Sequence, residues 1–340
     1  MRNYGFKKEA WVVLLSMLLF TLTPCWSQDT IDMSESLLKI QGLAIFYDLG
    51  EKGVAAYDVG DRMLKFFDWD FKPVSRFPIA KGEGPGEAKN VITSVCIVEG
   101  KIYILVLFAK RIKIFNQLGK YEKDILLEES PREMFFKNGS LYLPHMSINA
   151  TENSFSLGII ADPFTGKKTR DIFLKERLIS PDNIDGDPGM IGLSSTFDVG
   201  NDGSIYFLNS SANLLAIIDS ENRVKYKFEL PYKQRELRRV YKENGEENLE
   251  INTLDFYTDI MACDDGIYVC FQKTLKTNEK NNERTYQTVV LKVSGKDEIS
   301  EKVFEGRWSI IGQHKGNLCF FNSDEYMVIP VKVSDWQKKK

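Results

Sequence analysis

The sequence of 340 residues predicts an all-β fold: a six-bladed β-propeller with four-stranded antiparallel blades, in which an N-terminal strand closes the last blade. Three observations carry this. Short turns containing glycine recur six times with a similar sequel. The segments around them alternate or run apolar over five to seven residues and are rich in Val, Ile, Phe and Tyr. Helical periodicity is nearly absent.

In chain order the copies read KGVAAYD at 52–58, EGKIYIL at 99–105, NGSLYLP at 138–144, DGSIYFL at 202–208, DGIYVCF at 265–271 and KGNLCFF at 315–321. The second copy shows a whole unit: ITSVCIV, a turn, KIYILVLF, RIKIFNQ, a turn at 118–120 and YEKDILL. The fourth repeats the plan with STFDVG, SIYFLNS, NLLAIID, a turn at 220–222 and VKYKFEL. Units of about 50 residues with four strands each are propeller blades. The sixth copy offers only WSIIGQH, NLCFFNS and YMVIPVKV before a polar QKKK tail, so it lacks one strand. The apolar segment SLLKI at 36–40 is expected to supply it and close the ring.

The first 27 residues read as a secretory signal: Arg2, Lys7 and Lys8, then an apolar run over 11–22, then Cys25 and Ser27 before a cut at Gln28. That run is too short for a bilayer core, which needs about 20 residues. The expectation is an exported, periplasmic or extracellular chain, with 28–340 forming a single propeller domain and no transmembrane span. Lipid anchoring at Cys25 is the alternative, disfavoured by Pro24 and Trp26 on either side. The net charge of −3 excludes the basic surface that nucleic acid requires. Cys96, Cys263, Cys270 and Cys319 lie in apolar runs without zinc-site spacing and read as buried thiols, with a Cys263–Cys270 bridge across a hairpin left open.

The loop Gly82-Glu-Gly-Pro-Gly-Glu87, together with the Gly-x-Ile-Tyr strand starts, resembles the secreted six-bladed β-propeller family of Bacteroidota, akin to NHL-repeat propellers. The resemblance covers residues 35–335, with Ala88 standing where the family has an aromatic. It implies the fold and an exported location, and leaves the biochemical role open. The loop itself is no dinucleotide fingerprint, since Glu87 replaces the third glycine and a strand follows. It reads as a turn between blades, with a small backbone anion nest as the alternative.

The turns between first and second strands, and between third and fourth, are tight throughout. The long insertions, at 144–153, 175–195, 231–252 and 273–287, and the Gly-Pro loop all belong to the other class of connection. One face of the propeller is therefore expected bare and the other elaborated, the pattern of a scaffold that carries a binding surface on loops. Aligning the copies on the turn glycine picks out a row of inner-strand starts at the elaborated mouth of the channel: Phe46, Thr93, Arg132, Thr196, Asp259 and Ser309. Trp308 and Tyr257 sit beside that row and join Thr93, Arg132, Thr196, Asp259 and Ser309 as candidate binding residues. Wet, polar strand starts are the bland reading of the same row.

Other motifs are weaker. Asp182, Asp185 and Asp187 lack calcium-loop spacing, with Leu193 where a Glu is needed. The two histidines, His145 and His314, fall on opposite faces and build no multi-histidine metal site. The charged segment at 234–242 reads as a solvated loop or short amphipathic helix. No set of nucleophile, base and orienter is recognisable, and no cofactor is expected. The function implied is a non-catalytic exported binding or scaffold module for a glycan, peptide or envelope protein. The alternative is a metal-dependent lyase or lactone hydrolase using Asp198, Asp255 and Asp259.

Overall fold

The computed structural model describes residues 31–32, 44–150, 155–174, 195–243, 246–278, 283–295, 298–332 and 336–338. The leader at 1–27, the segment at 36–40 and the acidic loop with Asp182, Asp185 and Asp187 lie outside these. A short strand β1 (Ile31–Asp32) comes first. Blade one follows with β2 (Ala44–Asp48), β3 (Val54–Asp58), β4 (Met63–Phe67) and β5 (Pro73–Pro78). Blade two has β6 (Ile92–Val98), β7 (Lys101–Val106), β8 (Arg111–Phe115) and β9 (Tyr121–Leu126). Blade three has β10 (Phe135–Lys137), β11 (Ser140–Ala150), β12 (Phe155–Ala161) and β13 (Lys168–Leu174). Blade four has β14 (Ser195–Val199), β15 (Ile205–Asn209), β16 (Leu214–Ile218) and β17 (Val224–Glu229).

Blade five is built from β19 (Glu246–Cys263), β20 (Gly266–Asn278), β21 (Glu283–Gly295) and β22 (Glu298–Glu305), preceded by an added strand β18 (Arg235–Glu243). Blade six has β23 (Trp308–His314), β24 (Asn317–Asn322) and β25 (Met327–Lys332), and the chain ends with β26 (Gln337–Lys338). Every ladder is antiparallel, and the inner strands β2, β6, β10, β14, β19 and β23 adjoin one another in a closed ring.

Position in the blade decides burial. Second strands, covered on both sides, are mostly buried, and β3 is buried throughout, while outer strands such as β5, β9 and β17 bury one side chain near their ends. Charged side chains on those outer strands, such as Arg76, Lys123 and Lys225, blunt the open edges. Apolar side chains interlock between blades: Ala55, Tyr57 and Phe66 of blade one pack with Ile92, Ile102 and Ile104 of blade two. Within blade one, Lys65 is fully enclosed and pairs with Asp58 at 2.7 Å and Asp61 at 2.8 Å.

An N-terminal strand does close the ring; among the described residues it is formed by Ile31 and Asp32, and the segment expected to supply it, 36–40, lies outside them. β1 pairs with β25, Ile31 opposite Val328 and Asp32 opposite Met327. The seam between blades six and one is filled by Phe46 against Phe321 at 4.4 Å and by Trp69 stacked on His314 at 5.2 Å. The polar tail is also put to use, since β26 pairs with β22 at the edge of blade five and Trp336 meets Tyr268 edge-on at 5.3 Å.

The bare face is sealed by its own side chains. Asp68, Asn116, Asp162 and Asp219 each open a turn between third and fourth strands, and a side-chain oxygen of each accepts backbone N–H groups across that turn. On the opposite face three insertions are strand extensions instead of loops. β11 with β12, β18 with the first half of β19, and β20 with β21 run on as hairpins. The segment at 234–242 is thus largely β-strand and not helix or loop, because pairing with β19 satisfies its backbone. All four described cysteines are free, so Cys263 and Cys270 are not bridged; their ladder partners are Gly266 and Asp259.

Candidate functional site

Inner strands present alternate residues to the channel. In β14 Ser195, Phe197 and Val199 are buried, while Thr196 and Asp198 are partly exposed. Arg132, in the connection before β10, donates from Nη1 to the carbonyl of Ser195 and lies with Nε 3.5 Å from Glu133 Oε1. Asp259 of β19 accepts the hydroxyl of Thr258 at 3.0 Å and that of Ser309 from blade six. Asp198 Oδ2 accepts the N–H of Ala262 at 2.6 Å, tying blade four to blade five.

These carboxylates share one low-dielectric surrounding. Burial pushes Glu133 up to about 7, with Arg132 opposing and Asp259 and Asp198 adding to the rise. Burial likewise raises Asp259 and Asp198 to about 6. Asp48 touches water but is crowded by protein, and its carboxyl is raised too despite Lys137 and His314 nearby.

The structure thus brings Arg132, Asp259 and Ser309 into one network, adds Glu133, and places Thr196 on the same wall. Thr93 occupies a bulge in β6, and its enclosed Oγ1 finds no partner among the described residues. Trp308 and Tyr257 do not join this network. Trp308 is 9% exposed in the core between blades five and six, its backbone N–H bonded to Thr288 Oγ1. Tyr257 is 4% exposed, and its hydroxyl is held by the backbone of Tyr232. The reason is a bulge at Thr258: it breaks the two-residue alternation, so Tyr257 turns into the core while Asp259 faces the channel.

Asp198, Asp255 and Asp259 do not form one ligand set. Asp255 pairs with Arg235 Nε at 2.8 Å and accepts the N–H of Thr274 at 2.8 Å. Among the described residues no three His, Cys, Asp or Glu side chains gather to hold a metal.

One constellation escaped the sequence reading, which recognised no nucleophile, base and orienter. On the elaborated side of blade three, Ser156 Oγ lies 3.0 Å from His145 Nε2, and Glu129 Oε2 lies 2.9 Å from His145 Nδ1. His145 comes from β11, Ser156 from β12 and Glu129 from the connection that also carries Arg132. No local motif joins them. The available signal was the presence of a histidine near the base of a long insertion.

Fold and site together define a six-bladed β-propeller with a polar, carboxylate-rich channel and one hairpin-bearing face. A solved structure of a DUF4221-family member from Bacteroides vulgatus is similar at 12% identity and a TM-score of 0.59, covering 92% of this chain and 96% of that one. A Bacteroides fragilis protein classed as exported is similar at 10% identity and a TM-score of 0.50, covering 88% and 91%. Both likenesses show the fold implied by the sequence resemblance to propellers of Bacteroidota. A virginiamycin B lyase from Staphylococcus aureus is similar at 12% identity and a TM-score of 0.42, covering 88% and 97%, and carries no argument about activity. No protein-family model and no curated protein matches the sequence. No helix among the described residues is long and apolar enough to cross a membrane.

Proposed function

We propose that residues 28–340 are an exported propeller that binds a glycan, peptide or envelope protein on the hairpin-bearing face around the channel mouth. One observation carries the reading: the three strand extensions and the Gly-Pro loop stand on one side, while the other side has short, self-capped turns. Extra chain on one face of a rigid scaffold serves recognition. Arg132, Thr196, Asp259 and Ser309 form the floor of the proposed site and Thr93 its rim, with Glu133 completing the charged network. Trp308 and Tyr257 support the floor from behind.

The test is a glycan and peptide array followed by calorimetry with the ligand found. Arg132→Ala and Asp259→Ala are each expected to weaken binding by about 1.5–3 kcal/mol, the range for charged hydrogen bonds. Glu221→Ala, on a bare-face turn, should leave binding unchanged. A loss confined to Glu221→Ala would place the site on the wrong face.

A further inference from the structure

We propose that Ser156, His145 and Glu129 form a serine-dependent acyl-transfer site that hydrolyses a carboxylic ester on the hairpin-bearing side of blade three. This goes beyond the binding reading and does not depend on it. An ionised carboxylate can only accept, so Glu129, 2.9 Å from Nδ1, fixes the neutral imidazole with its proton on Nδ1. The lone pair on Nε2 then faces Ser156 Oγ at 3.0 Å, which is the arrangement a general base needs to take the hydroxyl proton.

Burial divides the roles in the same way. His145 is 7% exposed, whereas Ser156 is partly open to solvent, so the base is sheltered and the nucleophile is reachable. Burial lowers the pKa of His145 against the pull of Glu129 and Asp171 and with the push of Lys168, which keeps the ring neutral at neutral pH. The backbone is irregular on both sides of the pair. The β11–β12 ladder shifts between Pro144 and Asn149, and the β12–β13 ladder between Ser156 and Gly158. Such bulges re-aim side chains and are over-represented next to active sites. The third member is anchored as well: Pro131 bridges to His145, and the N–H of Arg132 bonds the carbonyl of Pro144 at 2.8 Å.

The chemistry balances without a cofactor. Ser156 Oγ attacks the ester carbonyl carbon while its proton passes to His145 Nε2. The bond to the alkoxy oxygen breaks, and Nε2 returns the proton to that oxygen, releasing an alcohol. Water then attacks the acyl-serine, gives a proton to Nε2 and frees the acid, and Oγ is reprotonated. Glu129 acts as a positioning residue. Its side chain is 57% exposed, so water screens its support for the imidazolium, and the easier leaving group of an ester suits the site better than an amide.

The experiment treats the mature chain with a fluorophosphonate probe and, separately, with p-nitrophenyl acetate. The expected result is one adduct, mapped to Ser156, and ester hydrolysis that falls about 100-fold or more in Ser156→Ala, the scale of a lost acid–base relay. Glu129→Gln should lower kcat and move the acid limb of the pH profile, with Glu129→Asp restoring part of both. An adduct elsewhere or none, or wild-type hydrolysis by a folded Ser156→Ala, overturns the proposal and leaves the three residues as a satisfied buried histidine. Should Ser156→Ala fail to fold, the adduct position in the unmutated chain decides in the same way, and Ser156→Cys, expected to fold and to accumulate an acyl-enzyme, provides a second reading.

Discussion

Glu87 folds back over the Gly-Pro loop so that its Oε2 accepts the N–H of Gly84 at 2.9 Å, filling with its own carboxylate the cradle that the glycines form. A Cβ at Gly82 would collide with that carboxylate, and one at Gly84 would come within 2.9 Å of it. The next residue, Ala88, is 1% exposed, and its carbonyl accepts from Arg62. The loop is a turn, and the loop N–H of Gly84 that meets a carboxylate meets the loop's own Glu87. Glu87→Ala is therefore expected to cost about 1 kcal/mol of stability, as a charge-assisted bond at a partly exposed site. Urea unfolding measures this; an unchanged midpoint would show that the carboxylate is incidental.

Among the described residues, Ile31 and Asp32 close the ring against β25. Deleting residues through Asp32 while retaining 36–40 should lower the thermal midpoint by several degrees, since a loss of 1 kcal/mol shifts it by about 2–4 °C in proteins approaching this size. A midpoint that falls only when 36–40 are also removed would return the closing role to that segment.

The enclosed Lys65 sits between Asp58 and Asp61, with Lys65 and Asp58 side chains at 0% exposure. Lys65→Met removes one partner and leaves a buried carboxylate, which should destabilise by about 3–5 kcal/mol. Chemical denaturation of the variant checks it. A loss below about 1 kcal/mol would mean that the site is wet.

Burial raises Glu133 from 4.5 to about 7, so the native state binds its proton more tightly than the unfolded chain. Its stabilising contribution is complete below pH 4.5 and is lost as pH rises through about 7. Glu133→Gln should thus be more stable than the parent at pH 8, by about 2 kcal/mol, and the two should converge near pH 4. Asp198 and Asp259 act in the same direction between 3.8 and about 6. A variant less stable than the parent at pH 8 would show that the ion pair with Arg132 outweighs desolvation.

The sequence by itself determined the repeat, the blade count, the strand order and the separation of a bare face from an elaborated one. These are local properties: alternation reports which strands are half-buried, and a glycine turn reports its own backbone. Asp68, Asn116, Asp162 and Asp219 escaped that reading, although each stands at the start of a tight turn that its side chain caps. Only the tertiary structure decided which side chains face the channel, because the bulge at Thr258 reverses the alternation for Tyr257 without any local mark. It also decided that Ile31 and Asp32 close the ring, since two residues paired on β25 carry too little pattern to be read. Ser156, His145 and Glu129 meet for the same reason. Their geometry is set by ladder shifts and by a connection from the preceding blade, and distances across strands are settled by packing, which no periodicity along the chain encodes.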